Sequence, residues 1–281
     1  MKKLLMIGLA LSIVCLYVYY QPIPLFGIDH AQCSIKRIQE LMTEENLGKI
    51  PLDFETQSRD KLLFLLNGIY LSQLCQFSYH HCKYPLELSP VPGGHMGLYK
   101  HTMYIFLRPT HTVHDFLNDL CLFTREAAQG RIYSGPARLA DRLVSYIKPM
   151  LVTDPKCDRE AIERVVLSGI SLGGSIATIA AESLHVDKEI DANVQLTVFC
   201  PYCTGDREYN RYVTKLLPVA WSVKNINDVI SSAFSNRVGI TILFDYDGDD
   251  RTSNHCEILD MLSKMGPGEK LDDKAFYFSD G

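Results

Sequence analysis

Val165-Val166-Leu167-Ser168-Gly169-Ile170-Ser171-Leu172-Gly173-Gly174-Ser175 decides how this chain is read. A β-branched run leads into G-x-S-x-G, and a small-residue stretch follows. That is the context of a nucleophile elbow, in which a strand turns sharply into a helix and holds one side chain out at the tip. The spacing predicts a strand over 164–168 and a helix from 172 to about 184. Gly169 and Gly173 leave room where side chains would clash across the turn. Ser171 stands at the tip. The N–H of Leu172 faces the place where an oxyanion forms, and the helix dipole favours negative charge there. Ala177, Ala180 and Ala181 are small enough to let this helix lie close to a sheet.

A serine at an elbow needs a base, and the base needs an acid to orient it. On sheets of this design the order along the chain is Ser, then acid, then His. After Ser171 the only histidines are His185 and His255. His185 falls at the far end of the elbow helix and cannot return to its start. His255, in Thr252-Ser253-Asn254-His255-Cys256-Glu257, is left as the base. The acid is one of Asp187, Asp191, Asp206, Asp228 or the cluster Asp245, Asp247, Asp249 and Asp250. Asp228 follows the β-compatible run 221–227, and the C-terminal end of a strand is where such an acid belongs. Asp245 is the second choice.

The rest of the chain frames this site. With 281 residues, 47% hydrophobic and 22% charged, it is long enough for a full core. Net charge is −5 and no Lys/Arg-rich run occurs, which argues against a nucleic-acid partner. Met1-Lys2-Lys3 precedes an uncharged apolar run over 4–20, read as a signal-anchor or, if cleaved, a signal peptide. Lys2 and Lys3 on the cytoplasmic side would put the remainder in the lumen or outside the cell. Residues 21–30 read as a linker, and 31–281 as the hydrolase domain. Cys15 lies in the apolar run; the other eight of the nine cysteines suit an oxidising compartment, with pairing left open.

Helices are expected over 31–45, 60–77 and 138–151, a loop over 85–94, and strands over 103–107, 194–200 and 239–244. Val113, Phe116, Leu117 and Leu120 fall at i, i+3, i+4 and i+7, a short amphipathic helix. Strands alternating with helices imply an α/β fold, a mainly parallel sheet with helices on both faces.

Five segments, in order, make the chain resemble the class 3 (fungal-type) lipases of the α/β-hydrolase fold. Tyr104-Ile105-Phe106-Leu107-Arg108-Pro109-Thr110 is similar to the family strand ending F-R-G-T/S. The segment from His111, ending Asp115-Phe116-Leu117-Asn118-Asp119-Leu120, resembles the family lid and its D-W-x-x-D-L. Gly169–Gly174 resembles G-H-S-L-G-G, with Ile170 in place of His. The run from Phe199 to Asp206 is similar to F-G-x-P-R-V-G-D/N with one residue inserted. Asn225-Ile226-Asn227-Asp228-Val229-Ile230 resembles N-x-x-D-x-V, whose Asp is the triad acid. The resemblance implies a Ser171–Asp228–His255 triad, Leu172 and Thr110 at the oxyanion hole, and a lid carrying Val113, Phe116, Leu117 and Leu120. It implies a lipid ester substrate met at a membrane surface, with neither metal nor organic cofactor. Pro109 departs from the family glycine: it removes a backbone N–H and stiffens the oxyanion loop. Ile132-Tyr133-Ser134-Gly135-Pro136 keeps only part of V-H-x-G-F.

Two other readings compete. Cys200-Pro201-Tyr202-Cys203 is a C-P-Y-C tetrapeptide, as in thiol–disulfide oxidoreductases. It stands too late in the chain for a thioredoxin-like domain, and no later Val-Pro pair follows. A lipase-like scaffold that only binds, tethered to a membrane, is the other. The acidic run 245–250 does not fit an EF-hand loop and reads as a solvated turn.

Overall fold

A computed structural model describes residues 88–99, 101–110, 112–152, 161–202, 204–228, 238–244 and 276–279. The chain begins there with an antiparallel hairpin, β1 (Leu88–Val91) and β2 (Gly94–Tyr99). β3 (Thr102–Leu107) follows, then α1 (Val113–Asp119), the small hairpin β4 (Thr124–Glu126) and β5 (Arg131–Tyr133), and α2 (Ser134–Leu151). β6 (Arg164–Ile170) enters α3 (Leu172–Val186), followed by β7 (Asn193–Phe199), α4 (Arg207–Leu216), β8 (Val219–Asn225), β9 (Ile240–Phe244) and β10 (Phe276–Ser279).

The main sheet has the order β1-β2-β3-β6-β7-β8-β9-β10. β3, β6, β7, β8 and β9 are parallel to one another, and antiparallel strands close both edges. This is the mostly parallel α/β sheet expected from the alternation. α3 packs on β3, β6 and β7, and α2 and α4 pack against α3. Ala177, Ala180 and Ala181 are wholly buried at that contact, so the small residues do bring helix and sheet together. Met103, Ile105, Leu107, Val165, Leu167, Val194, Leu196 and Val198 supply the sheet side of the same core. Each such side chain, fully buried, contributes about 1.5–3 kcal/mol of transfer free energy. The alternate residues Tyr104, Phe106, Val166, Phe199, Trp221 and Val223 face the other way and are buried too. Both faces of the central strands are therefore covered, which is why these strands read as continuous apolar runs.

Several boundaries differ from the sequence expectation. Residues 85–94 are not a loop throughout: β1 and the turn at Pro92-Gly93 lie inside that span. Pro90 is tolerated because β1 is an edge strand. Gly93 adopts φ +83°, which lets a proline–glycine pair turn the hairpin. α2 starts at Ser134 rather than at 138, because Pro136 in the first turn has no N–H that the helix would use. α4 was not expected. Its apolar stripe is only Tyr209 and Val213, and Asp206 caps it by accepting from the Tyr209 N–H at 2.9 Å. The expected helices over 31–45 and 60–77, and the segments 1–20 and 21–30, lie outside the described residues. No described helix is long and apolar enough to cross a membrane.

Candidate active site

The turn between β6 and α3 is built on one strained residue. Ser171 has φ 52° and ψ −121°, a conformation that L side chains rarely adopt. Such a residue costs of order 1–3 kcal/mol and persists only when its surroundings over-determine it. Here they do. The Ser171 N–H donates to Phe199 O at 3.0 Å, holding the tip to the end of β7. Its carbonyl accepts from Gly174 N at 3.0 Å, Ser175 N at 3.2 Å and Tyr202 N at 3.2 Å. A Cβ on Gly169 would stand 2.1 Å from Gly173 O, and one on Gly173 would stand 2.4 Å from both Leu107 O and Arg108 O. The two glycines thus let the strand end, the helix start and the end of β3 share one small volume.

That close approach sets the oxyanion side of the site. α3 begins against Leu107 and Arg108, and Pro109 lines a cleft together with Leu172 and Ile176 of α3. The first N–H groups of a helix lack intrahelical partners, and no described residue accepts a hydrogen bond from the Leu172 N–H. The Thr110 hydroxyl donates to Asp119 Oδ2 at the end of α1. Asp119 is a residue whose part was not legible in advance, because the contact requires α1 to fold back on the strand that precedes it. Pro109 leaves the start of this loop anchored through its neighbour: the Arg108 N–H donates to Gly93 O at 3.0 Å.

Asp228 follows β8 through a tight turn. Its N–H donates to Asn225 O at 3.2 Å, and the Asn227 N–H donates to Asn225 Oδ1 at 3.1 Å. Asp228 is 1% exposed and Ser171 8%. The two leave the same edge of the sheet, with β7 between their strands. Ser171 bonds to Phe199, and Cys200 bonds to Val223 of β8 at 2.8 Å. His255, the second-choice acid Asp245 and the rest of the 245–250 run lie outside the described residues. Two of the other acids considered have structural work: Asp206 caps α4, and Asp187 pairs with Lys148 at 2.6 Å.

α1 is amphipathic in an unusual sense. Its polar side is the buried one. Thr112 and Asp115 form a reciprocal capping box, Asp115 meets Arg108 at 3.3 Å, and Asn118 accepts from Arg138 Nη2 at 3.1 Å. Phe116, Leu117 and Leu120 are 42%, 48% and 58% exposed. Three of the four expected lid residues are thus exposed, and Val113 is half-buried. Leu122 and Phe123 extend the exposed apolar surface.

The C-P-Y-C segment serves the elbow. Tyr202 donates to Ser171, Thr204 Oγ1 donates to Ser175 Oγ at 3.2 Å, and Pro201 packs 3.2 Å from where a Gly174 Cβ would be. Cys200 is completely buried, and Cys203 lies outside the described residues. Nothing here supports thiol–disulfide exchange, which needs an accessible thiolate. Among the described residues no cluster of metal-ligating side chains occurs.

A model of the class 3 lipase family matches residues 104–237. Over those residues the chain is similar to the class 3 lipase family. The matched lipase region runs from β3 past Asp228 and so contains the elbow, the oxyanion loop and α1. Among solved structures the chain is similar to a triacylglycerol lipase described as having a serine protease triad at its catalytic centre. That pair is 16% identical at TM-score 0.51, over 67% of this chain and 82% of the other. A triacylglycerol lipase from Penicillium expansum is 14% identical at TM-score 0.52, over 71% and 90%. These likenesses are of fold. No curated protein matches the chain. Family and fold together support a lipid ester hydrolase.

Proposed function

We propose that this chain cleaves carboxylic esters of lipids through an acyl-enzyme on Ser171, with His255 as base and Asp228 as the acid that orients it. Ser171 Oγ attacks the ester carbonyl while His255 takes its proton; His255 then returns the proton to the leaving alcohol, and water hydrolyses the acyl-enzyme by the same route. The Leu172 N–H and Thr110 hold the oxyanion. The observation that carries this reading is the strained Ser171 at the strand–helix tip, since a non-glycine residue is held there at energetic cost. Asp228, buried just past β8 on the same sheet edge, supports the assignment of the acid. The outward apolar side of α1 supports reading it as the lid, presented to a lipid surface. An anchor over residues 1–20 would hold the domain beside such a surface, on the luminal or extracellular side.

The test is labelling of the full chain with a fluorophosphonate probe, beside Ser171→Ala, Asp228→Asn and His255→Ala. Labelling lost in Ser171→Ala and strongly slowed in the other two is the expected result. A folded wild type that does not label, with or without lipid vesicles, would sink the reading.

A further inference from the structure

Beside the proposed oxyanion loop, α1 and α2 border two adjoining clefts, the first of which reaches Leu172. One, of about 150 Å³, is lined by Arg108, His114, Asp115, Arg142 and Leu172 among others. The second, of about 200 Å³, adds Leu117, Asn118 and Arg138 and shares His114 and Arg142 with the first. The carboxylates nearby are already engaged. Asp115 meets Arg108 at 3.3 Å and His114 at 3.8 Å, and Asp141 is held by both terminal nitrogens of Arg125 at 2.7 Å. Among the described residues Arg138 donates only to the neutral Asn118, and Arg142 makes no ion pair. Both are exposed, one turn apart on α2. A chain of net charge −5 thus gathers two unneutralised guanidiniums at one place. Leu117 lines the same cleft, and Phe116 and Leu120 protrude beside it. A charged pocket with an apolar rim fits an amphiphile better than a free ion. A guanidinium offers a phosphate N–H donors and positive charge, and at an anionic lipid surface the charge supplies most of the attraction.

We propose that the α1–α2 cleft binds the phosphate of an anionic phospholipid headgroup through Arg138 and Arg142, seating the exposed side of α1 against the acyl region. The site goes beyond the hydrolase reading and does not depend on it: a bound headgroup would fix where the lipid surface lies relative to the elbow whether or not Ser171 reacts.

The test is partition of the full chain, in a Ser171→Ala background so that binding is read without turnover, onto phosphatidylcholine vesicles with and without phosphatidylglycerol. Stronger binding to the anionic vesicles is expected, falling about fivefold for each of Arg138→Gln and Arg142→Gln, as for one basic residue at an anionic surface. Arg142→Lys should keep most of it, and insertion of residues 1–20 would be equal in all variants. Equal binding of parent and double variant would overturn the proposal. So would full competition by inorganic phosphate, which would mark an ion site with no lipid preference. Loss of binding in Arg142→Gln without rescue by Arg142→Lys would do the same, since it would report altered packing. Failure of the hydrolase reading shows separately, as a wild type that binds but does not label.

Discussion

At the residue scale, the site turns on groups held where they are for reasons other than stability. Ser171 adopts a backbone conformation that only glycine occupies freely. Ser171→Gly should therefore abolish hydrolysis and at the same time stabilise the fold by about 1 kcal/mol of relieved strain, read as a higher melting temperature. A thermal melt beside an esterase assay checks both. Asp228→Asn should lower kcat by about 10⁴, the loss typical when a triad histidine loses its orienting carboxylate, with the fold intact by circular dichroism. Thr110→Val removes the hydroxyl's bond to Asp119 and lets the proposed oxyanion loop shift. Its kcat should fall by up to about 10²–10³, the loss when one such donor is misplaced, with KM little changed.

At the scale of elements, the packing of α1 on α2 is set by one glycine. A Cβ on Gly135 would stand 2.0 Å from Asn118 O, so the two helices touch backbone to backbone. Gly135→Ala should push α1 away and cost about 1–3 kcal/mol. Proteolysis within 112–123 should speed up in that variant, and unchanged cleavage there would show that α1 does not depend on this contact. The elbow, β3, β7 and α1 were legible in the sequence because each carries its own periodicity or punctuation. The buried polar side of α1 was not: besides partners on their own helix, Asp115 and Asn118 take Arg108 and Arg138, on other elements. The hairpin of β4 and β5 was hidden by its three-residue strands, and β1 by its prolines. Of the proposed site, Ser171 and Leu172 rest on local pattern. Asp228 needed the order of strands as well, and the Thr110–Asp119 contact needed the fold itself.

At the scale of the whole molecule, the α2–α3–α4 layer contains a carboxyl that is out of place at neutral pH. Glu182 is 9% exposed on α3, and its burial raises its pKa, with Arg125 offsetting part of the effect. A carboxyl whose folded pKa is raised stabilises most below its ordinary range, and that contribution is lost as pH rises through the folded value. Glu182→Gln should thus be more stable than wild type at neutral pH, with the advantage vanishing on acidification. Thermal melts across pH would show the two curves converging; parallel curves would refute it.

The strand order carries a consequence for biogenesis. From β3 onward, each new strand of the main sheet joins the one made just before it: β6 beside β3, then β7, β8, β9 and β10. A chain emerging from the ribosome can therefore assemble this sheet in the direction of synthesis, always adding to a single open edge. That edge stays unpaired until the last strand arrives, and unpaired edges invite misassociation. The elbow forms early in this sequence, whereas Asp228 and His255 are translated only later. A nascent chain would thus expose its sticky edge long before it holds the full set of groups proposed for catalysis, so its demand for chaperones would precede that proposed activity.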